Sequence, residues 1–208
     1  STQRTIDTVE QSYYECGRGK KTNALRILLN AFDPELTMIF CNTKKMVDEL
    51  VDELNSYDIK AIGLHGDMKQ QARTRVMDQF RTGNYPILIA TDVAARGIDV
   101  DNIDLVVNYD IPQDNEYYIH RVGRTGRAGK KGKAITLIAG KRQRQFIRDI
   151  MRYTKTAIAH RQLPSSEELL EESKRAFVAQ VMSACSEDIN EESIEIANEI
   201  LGEGVAIE

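Results

Sequence analysis

Short apolar runs alternate with amphipathic helical stripes through most of this 208-residue chain. The first run, LTMIFC at residues 36–41, is apolar throughout and has the length of a strand. Further apolar runs span residues 61–64, 87–90, 105–107 and 134–139, with helical stripes near 46–54, 72–80, 115–122 and 141–153. Strands that are apolar on both faces and separated by helices predict an α/β fold with a parallel sheet, covered by helices on both faces.

Hydrogen-bonding residues and a glycine stand directly after three of the predicted strands. They are Asn42, Thr43 and Lys44, then His65, Gly66 and Asp67, and finally Thr91. In parallel sheets, ligands gather at the carboxyl ends of the strands, so three such loops predict a groove for phosphates along one edge. Taken singly, Thr43 and Asp67 are more simply explained as helix caps.

The segment HRVGRTGR at residues 120–127 sets three arginines, Arg121, Arg124 and Arg127, at a strict three-residue spacing. The guanidinium fork matches phosphate oxygens two at a time, and the interleaved glycines let an anion approach the backbone. A solvated basic loop is the plain alternative for an isolated cluster of this kind. Beside the predicted groove, the segment instead favours a nucleotide or nucleic-acid site.

Charge and composition narrow the class of protein. Residues 165–208 hold twelve acids against two bases, a balance of −10, so the other 164 residues carry +6 within a total of −4. A basic body suits a polyanion partner. No apolar run approaches the roughly 20 residues of a membrane helix, and the first residues show no secretion signal. Three scattered cysteines argue against disulfide or zinc frameworks, so we expect a cytoplasmic protein without a metal site of its own.

Four segments resemble successive motifs of the second RecA-like lobe of DEAD-box ATP-dependent RNA helicases. They are MIFCNTKK (38–45), HGDMKQQAR (65–73), IATDVAARGIDV (89–100) and HRVGRTGR (120–127). They occur in the family's order and with its spacing, and the resemblance covers roughly residues 5–155. It implies a RecA-like parallel sheet. His120 and Arg121 at the head of the last motif favour the DEAD-box branch over DNA-directed or DEAH-type relatives.

The resemblance also implies roles at the nucleotide. Arg124 and Arg127 match the arginine fingers that reach the γ-phosphate of ATP, and Gly97 and Asp99 match the contact to the ribose. Charge develops on the phosphoryl oxygens during transfer, and an arginine finger contributes on the order of 10³ to 10⁵ in rate.

Contacts to the RNA backbone are implied for five other positions: Thr43, Gly66, Gln70, Arg73 and Thr91. Coupling between the lobes is implied for Arg96, His120 and Arg121, with structural hydrogen bonding in the groove as the alternative for Arg96 and His120. Contacts to phosphate and 2′-hydroxyl groups carry little base information, so we expect RNA binding without sequence preference.

Two motifs of the family's first lobe are missing from this sequence: the G-x-x-x-x-G-K-[ST] phosphate loop and the Asp-Glu-Ala-Asp magnesium motif. GRGKKT at residues 17–22 resembles a phosphate loop only superficially, because Lys21 stands where Ser or Thr should follow. It follows a predicted edge strand and begins a helix. We therefore expect ATP and Mg²⁺ to be held mainly by an N-terminal lobe, and this fragment to be inactive without it.

After a lobe at residues 1–155, residues 156–208 are predicted to form an acidic helical extension. LPSSEELL at 163–170 is similar to the extension of bacterial cold-shock-type DEAD-box helicases, some of which dimerise there. The apolar stripes within 164–201 predict a helical hairpin, which either packs on its own lobe or holds two copies together as a homodimer.

Two other functions stay open as alternatives. The chain could be a non-catalytic RNA-binding module, although such a module would not need Arg124, Arg127 and Asp99. It could also be the second lobe of a DNA helicase or translocase. The residues that argue against this, more weakly, are His120, Arg121, Gln70 and Arg73.

Overall fold

A computed structural model of the chain describes residues 9–17, 19–95, 100, 103–127 and 131–165, and of the later residues only 167–168, 170, 174–175, 178–179 and 182. The chain divides into two units, residues 1–163 and 164–208. The hairpin predicted at 164–201 falls mostly outside the described residues. Its existence, and the dimer it would form, therefore stay predictions.

The described part of the first unit contains seven strands and six helices. The strands are β1 (Val9–Glu15), β2 (Thr37–Phe40), β3 (Ala61–Leu64), β4 (Ile87–Ala90), β5 (Leu105–Asn108), β6 (Gly132–Ile138) and β7 (Ala159–Arg161). The helices are α1 (Lys21–Phe32), α2 (Lys44–Asn55), α3 (Gln70–Arg81), α4 (Asp92–Ala95), α5 (Asn115–Val122) and α6 (Gly140–Thr154). None of the helices in the described ranges is both long and apolar enough to cross a bilayer.

The strands form one sheet in the order β3-β4-β2-β5-β6-β1-β7, and every pairing in it is parallel. Side chains alternate between two buried clusters: in β2, Met38 and Phe40 face one cluster and Ile39 faces the other. Helices α1 and α2 cover the face of Ile39, while α3, α5 and α6 cover the opposite face. The predicted α/β fold, with helices on both faces of a parallel sheet, is confirmed.

Strand β1 is not at the edge of the sheet, so the sequence-based expectation for it was wrong. Strand β7 pairs in parallel with its outer side, where the ring of His160 stacks on Tyr13 with centroids 4.8 Å apart. Strand β7 was missed because it has three residues, all exposed, and therefore no apolar run. This strand belongs to the first unit, residues 1–163, and the functional boundary expected at residue 155 stays a prediction.

Candidate functional site

The sheet register brings the polar loops to one place. Phe40 at the end of β2 lies opposite Ala90 of β4 and Asn108 of β5, and Ala90 lies opposite Leu64 of β3. The loops that follow these four strands therefore start side by side at the carboxyl edge of the sheet. The sequence predicts a groove for phosphates at this edge, and that groove stays a prediction.

Arg121, on α5, has the largest side chain among the fully buried residues, with 1% exposure. Its Nε and Nη2 donate to the two carboxylate oxygens of Asp92, both at 2.7 Å. Nη1 donates to the side-chain oxygen of Asn108 at 3.2 Å and to the carbonyl of Asp110 at 2.6 Å. Nη2 also donates to the side-chain oxygen of Asn42 at 2.9 Å. All five N–H groups of the guanidinium are thus used inside the protein.

These bonds make Arg121 a clamp on the strand ends. Its partners follow or end β2, β4 and β5, and its guanidinium lies 5.1 Å from the centroid of the Phe40 ring. With five donors occupied, Arg121 has no N–H left for a phosphate, although it shares the spacing of Arg124 and Arg127. Its coupling to another lobe stays a prediction, and its contacts within this chain are those of a structural hub.

Arg124 and Arg127 lie in the loop after α5, on either side of a buried anchor. Thr125 is 1% exposed, and its hydroxyl donates to the carbonyl of Ile103, with which it also forms an isolated β-bridge. Both arginines are half-buried, and Nε of Arg127 donates to the carbonyl of Gly123 at 3.0 Å. The loop is therefore held at its centre while the arginines flank that point.

Gly132, the first residue of β6, packs directly against this loop. A Cβ added there would lie 2.3 Å from Oγ1 of Thr125 and 2.4 Å from the backbone nitrogen of Gly126. Such distances are shorter than any non-bonded contact, so only glycine fits without displacing one of the two segments. Gly132 and Thr125 together fix where the arginines sit.

A pocket of about 200 Å³ opens between α4 and α5 beside the loop. Arg124, His120, Tyr117, Asp92 and Ala95 line it. His120 is exposed, whereas the neighbouring Arg121 closes the floor with Phe40. The pocket combines an arginine, a histidine and an aromatic ring, which suits a polar, anionic ligand.

Two of the predicted RNA-contacting loops are joined to each other. Thr43 caps α2, because its hydroxyl accepts the N–H of Met46 at 3.2 Å, as the capping alternative proposed. Asp67 does not cap α3, which begins after Lys69 without a side-chain cap. It pairs instead with Lys44, whose hydrogen bond and charge hold the pKa of Asp67 below its usual range.

The other predicted RNA-contacting residues lie on the same edge. Gly66 and Gln70 are exposed, and a Cβ added at Gly66 would meet nothing within 4 Å. Thr91 is half-buried at the end of β4. Arg73 is half-buried as well, and its Nη2 donates to the carbonyl of Ala94 at 3.1 Å, which links α3 to α4. Arg73 therefore has a structural contact within this chain, and its contact with RNA stays a prediction.

Three predicted site residues, Arg96, Gly97 and Asp99, lie outside the described residues, and their roles stay predictions. A metal ion would need several ligating side chains close together. Within the described ranges, no three His, Cys, Asp or Glu side chains are grouped so as to hold an ion.

Sequence reasoning missed the partners of Arg121. Asn42, Asp92 and Asp110 each stand within two residues of a strand end, and Asn108 is a fully buried amide within β5. A buried polar residue in an otherwise apolar strand needs a hydrogen-bond partner, so Asn108 was the residue from which a buried polar contact could have been predicted.

Known proteins resemble this chain over most of its length. The helicase conserved C-terminal domain family matches residues 20–129. The chain is 38% identical over 184 residues to the DEAD-box ATP-dependent RNA helicase CshA of Bacillus subtilis, covering 88% of this chain and 37% of that protein. It is 44% identical over 188 residues to the ATP-dependent RNA helicase DeaD of Buchnera aphidicola, covering 90% of this chain and 31% of that protein.

These curated relatives are longer, and the chain spans roughly a third of their length. Among solved structures, Dbp5 of S. cerevisiae bound to RNA and ADP BeF3 matches with a TM-score of 0.75 at 34% identity. That match covers 84% of this chain and 47% of the Dbp5 chain.

Proposed function

Because the chain belongs to the helicase conserved C-terminal domain family, within the DEAD-box RNA helicases, we propose that it works as the second lobe of such an enzyme. In this role it supplies Arg124 and Arg127 to ATP seated on a first lobe. Its carboxyl edge contacts the RNA backbone, so that ATP binding drives local separation of a duplex.

The anchored arginine loop is the observation that supports this proposal most. Thr125 and Gly132 fix the loop beside the residues that begin β5 and β6, and Arg124 lines the pocket between α4 and α5. Fingers are effective when they are preorganised around the charge that develops in the transition state. A binding module without catalysis would not need two arginines placed to contact the γ-phosphate of ATP.

ATP with Mg²⁺ is the cofactor that we propose, with the magnesium and most phosphate contacts supplied by the first lobe. Bound Mg²⁺ neutralises charge on the β- and γ-phosphates. This chain would contribute the guanidinium groups of Arg124 and Arg127 and, by the family resemblance, Gly97 and Asp99 at the ribose.

RNA is the partner that we propose for the groove of Thr43, Gly66, Gln70, Arg73 and Thr91. The related Dbp5 structure contains RNA, and the same sheet edge is available here. Lys44 and Asp67 form an exposed ion pair within this groove, so an arriving phosphate competes with Asp67 for the lysine. The proposal therefore includes salt-dependent binding without base preference.

The chain alone should show no RNA-stimulated ATP hydrolysis, because we assign the phosphate loop and the magnesium ligands to the first lobe. Adding a first lobe from a DEAD-box helicase, in the same polypeptide, should restore turnover. A phosphate-release assay with and without RNA measures both. Turnover by the purified chain, at a rate that Arg124→Ala abolishes, would show that the chain needs no first lobe.

Gly132→Ala should displace Arg124 and Arg127 indirectly, by moving the loop that carries them. The new Cβ must push away the Thr125–Gly126 backbone, and a displacement of about 1 Å can cost on the order of 100-fold in rate. We expect turnover of the two-lobe enzyme at saturating ATP to fall at least tenfold, with about 1–3 kcal/mol lost in the free energy of unfolding. Lys133→Ala, on the exposed neighbour in β6, is the control and should leave both values near wild type. Unchanged turnover in Gly132→Ala would mean that the loop position is unimportant.

Gly66→Ala tests whether the predicted groove contacts RNA, because it should change RNA affinity without destabilising the fold. No protein atom lies within 4 Å of the added Cβ, and alanine reduces the conformational entropy of the unfolded chain, so the melting temperature should stay level or rise slightly. RNA backbone that packs against Gly66 would meet the methyl group, and we expect affinity to fall about tenfold for all sequences alike. Fluorescence anisotropy with unrelated single-stranded RNAs measures this. Wild-type affinity in Gly66→Ala would remove Gly66 from the contact surface.

We also propose a reducing, cytoplasmic compartment. Cys16 and Cys41 are free thiols, and burial raises the pKa of each. Neither is poised to form a disulfide. In this proposal the acidic residues beyond Leu163 take no part in RNA binding, because their negative charge repels the RNA phosphates.

A further inference from the structure

Helix α6 and the residue that follows it carry most of the excess positive charge of the chain before residue 165. Residues 140–155 contain six bases and a single acid, a balance of +5, whereas residues 1–164 together carry +6. Five of these bases recur every three or four positions, and they are Lys141, Arg144, Arg148, Arg152 and Lys155. Side chains at this spacing share one face of a helix, so the five form a basic stripe.

The basic stripe faces solvent. Lys141, Arg148 and Lys155 are exposed, and none of them forms an ion pair with another described residue. Ile150, on the opposite side of the helix, is 0% exposed and packs in the core. A row of cations without counter-charges produces a local positive potential, which attracts a polyanion.

Two stacked rings adjoin the basic stripe. His160 of β7 stacks on Tyr13 of β1, and Glu15 links this pair to the stripe. One carboxylate oxygen of Glu15 pairs with Arg144, and the other lies 3.9 Å from Nε2 of His160. The His160 side chain is still 50% exposed, although Tyr13 covers one face of its ring. Cations beside an exposed ring are the combination that binds single-stranded nucleic acid, with its phosphates on the cations and a base on the ring.

The basic stripe begins on the same side of the sheet as the proposed RNA groove. Only Ala139 separates the end of β6 from α6, so Lys141 lies close to the carboxyl edge. The strand after α6 is again parallel to its neighbour, so the helix runs back towards the amino edge. The stripe therefore leads away from the carboxyl edge along the outside of the sheet.

We propose that α6 and the Tyr13–His160 pair form a second RNA-contacting surface, which binds a single-stranded stretch of RNA outside the groove. Phosphates lie along the basic stripe, and one base stacks on His160. This inference rests on the proposed RNA binding of the chain and adds a surface that the groove residues do not include. RNA fits this surface better than an acidic protein does, because carboxylate side chains have no planar ring to stack on His160.

Removing charge from the basic stripe tests the phosphate contacts. For Lys141→Gln combined with Arg148→Gln, we expect affinity for a single-stranded RNA of about 20 nucleotides to fall about tenfold. The dependence of log affinity on log salt should lose about 1.4 from its slope, at about 0.7 for each lost phosphate contact. Glutamine is about as good a helix former as the two residues it replaces. Fluorescence anisotropy of the 208-residue chain at several salt concentrations measures both values.

Lys60→Gln combined with Arg81→Gln is the matched control for net charge. It also removes two exposed bases, but from the start of β3 and the end of α3, at the other end of the sheet from β1 and β7. Exposed charges further apart than about 10 Å are largely screened at moderate salt. The control should therefore bind RNA within about twofold of wild type.

Variants at His160 test the stacking contact. His160→Ala should weaken binding at least about fivefold for unrelated RNA sequences alike, because every base has a face that can stack. His160→Phe keeps a ring but not the contact with Glu15, and it should bind RNA like wild type. Circular dichroism melts of both variants show whether any loss of affinity follows a loss of stability instead.

The second surface is refuted if the stripe variant and its control lose RNA affinity equally, or if His160→Ala and His160→Phe bind alike. It is also refuted if poly-L-glutamate binds the wild-type chain as tightly as RNA and is released by Lys141→Gln with Arg148→Gln. The occupant would then be an acidic protein. Weakened binding in Gly66→Ala without any loss in the stripe variant would leave the proposed function intact and remove only this surface. If the wild-type chain binds no RNA, the proposed RNA binding fails as well.

Discussion

Arg124→Lys and Arg127→Lys, introduced one at a time into a two-lobe enzyme, should each lower ATP turnover by about 10³-fold or more. Lysine keeps the charge but loses the planar fork that binds two phosphoryl oxygens at once. The fold should survive both changes, because the buried anchor of the loop is Thr125 and the arginines themselves are half-buried. Turnover at saturating ATP, with circular dichroism melts for stability, measures the two effects separately.

Measuring how much of the lost activity appears in kcat and how much in KM makes this test more specific. A finger that acts on the transition state lowers kcat and kcat/KM together, whereas an arginine that only binds ATP raises KM. Arg81→Lys, in the last turn of α3 and so at the amino edge, is a matched control that should turn over like wild type. If Arg124→Lys or Arg127→Lys keeps wild-type kcat, that residue is not a finger.

The sheet could be predicted because its strands are buried on both faces. Strands β2, β4 and β5 have no exposed residue, and a strand-length apolar run between helical stripes is typical of a parallel strand covered on both sides. The meeting of the polar loops at the carboxyl edge followed from the same property, since parallel strands end on one side. Strand β7 could not be predicted, because it is held by stacking on Tyr13 and by pairing with β1, neither of which leaves a local pattern.

The three arginines of residues 120–127 show that residue spacing does not predict which side chains are buried. They have the same residue type and interval, yet Arg121 is buried while Arg124 and Arg127 are half-buried. The difference depends on partners distant in sequence, such as Asn42, which lies 79 positions away. Likewise, the fit of Gly132 against Thr125 depends on two segments meeting in space.

Arg121→Met should cost about 3–5 kcal/mol in the free energy of unfolding, which is the largest stability effect that we expect from one substitution in this lobe. Methionine roughly preserves the apolar length of the side chain but removes all five donors. The carboxylate of Asp92, at 16% side-chain exposure, then loses the cation that balances it. The oxygens of Asn42 and Asn108 lose their donor at the same time. Chemical denaturation measures the change.

A second substitution separates the charge from the packing. Adding Asp92→Leu to Arg121→Met removes the unbalanced carboxylate, so the double variant should be more stable than Arg121→Met alone. Arg81→Met, at an exposed arginine, should change the free energy of unfolding by no more than about 0.5 kcal/mol. A loss below about 1 kcal/mol in Arg121→Met would mean that water replaces the guanidinium among the strand ends. Because those strand ends carry the groove, Arg121→Met should also weaken RNA binding at temperatures where the chain is still folded.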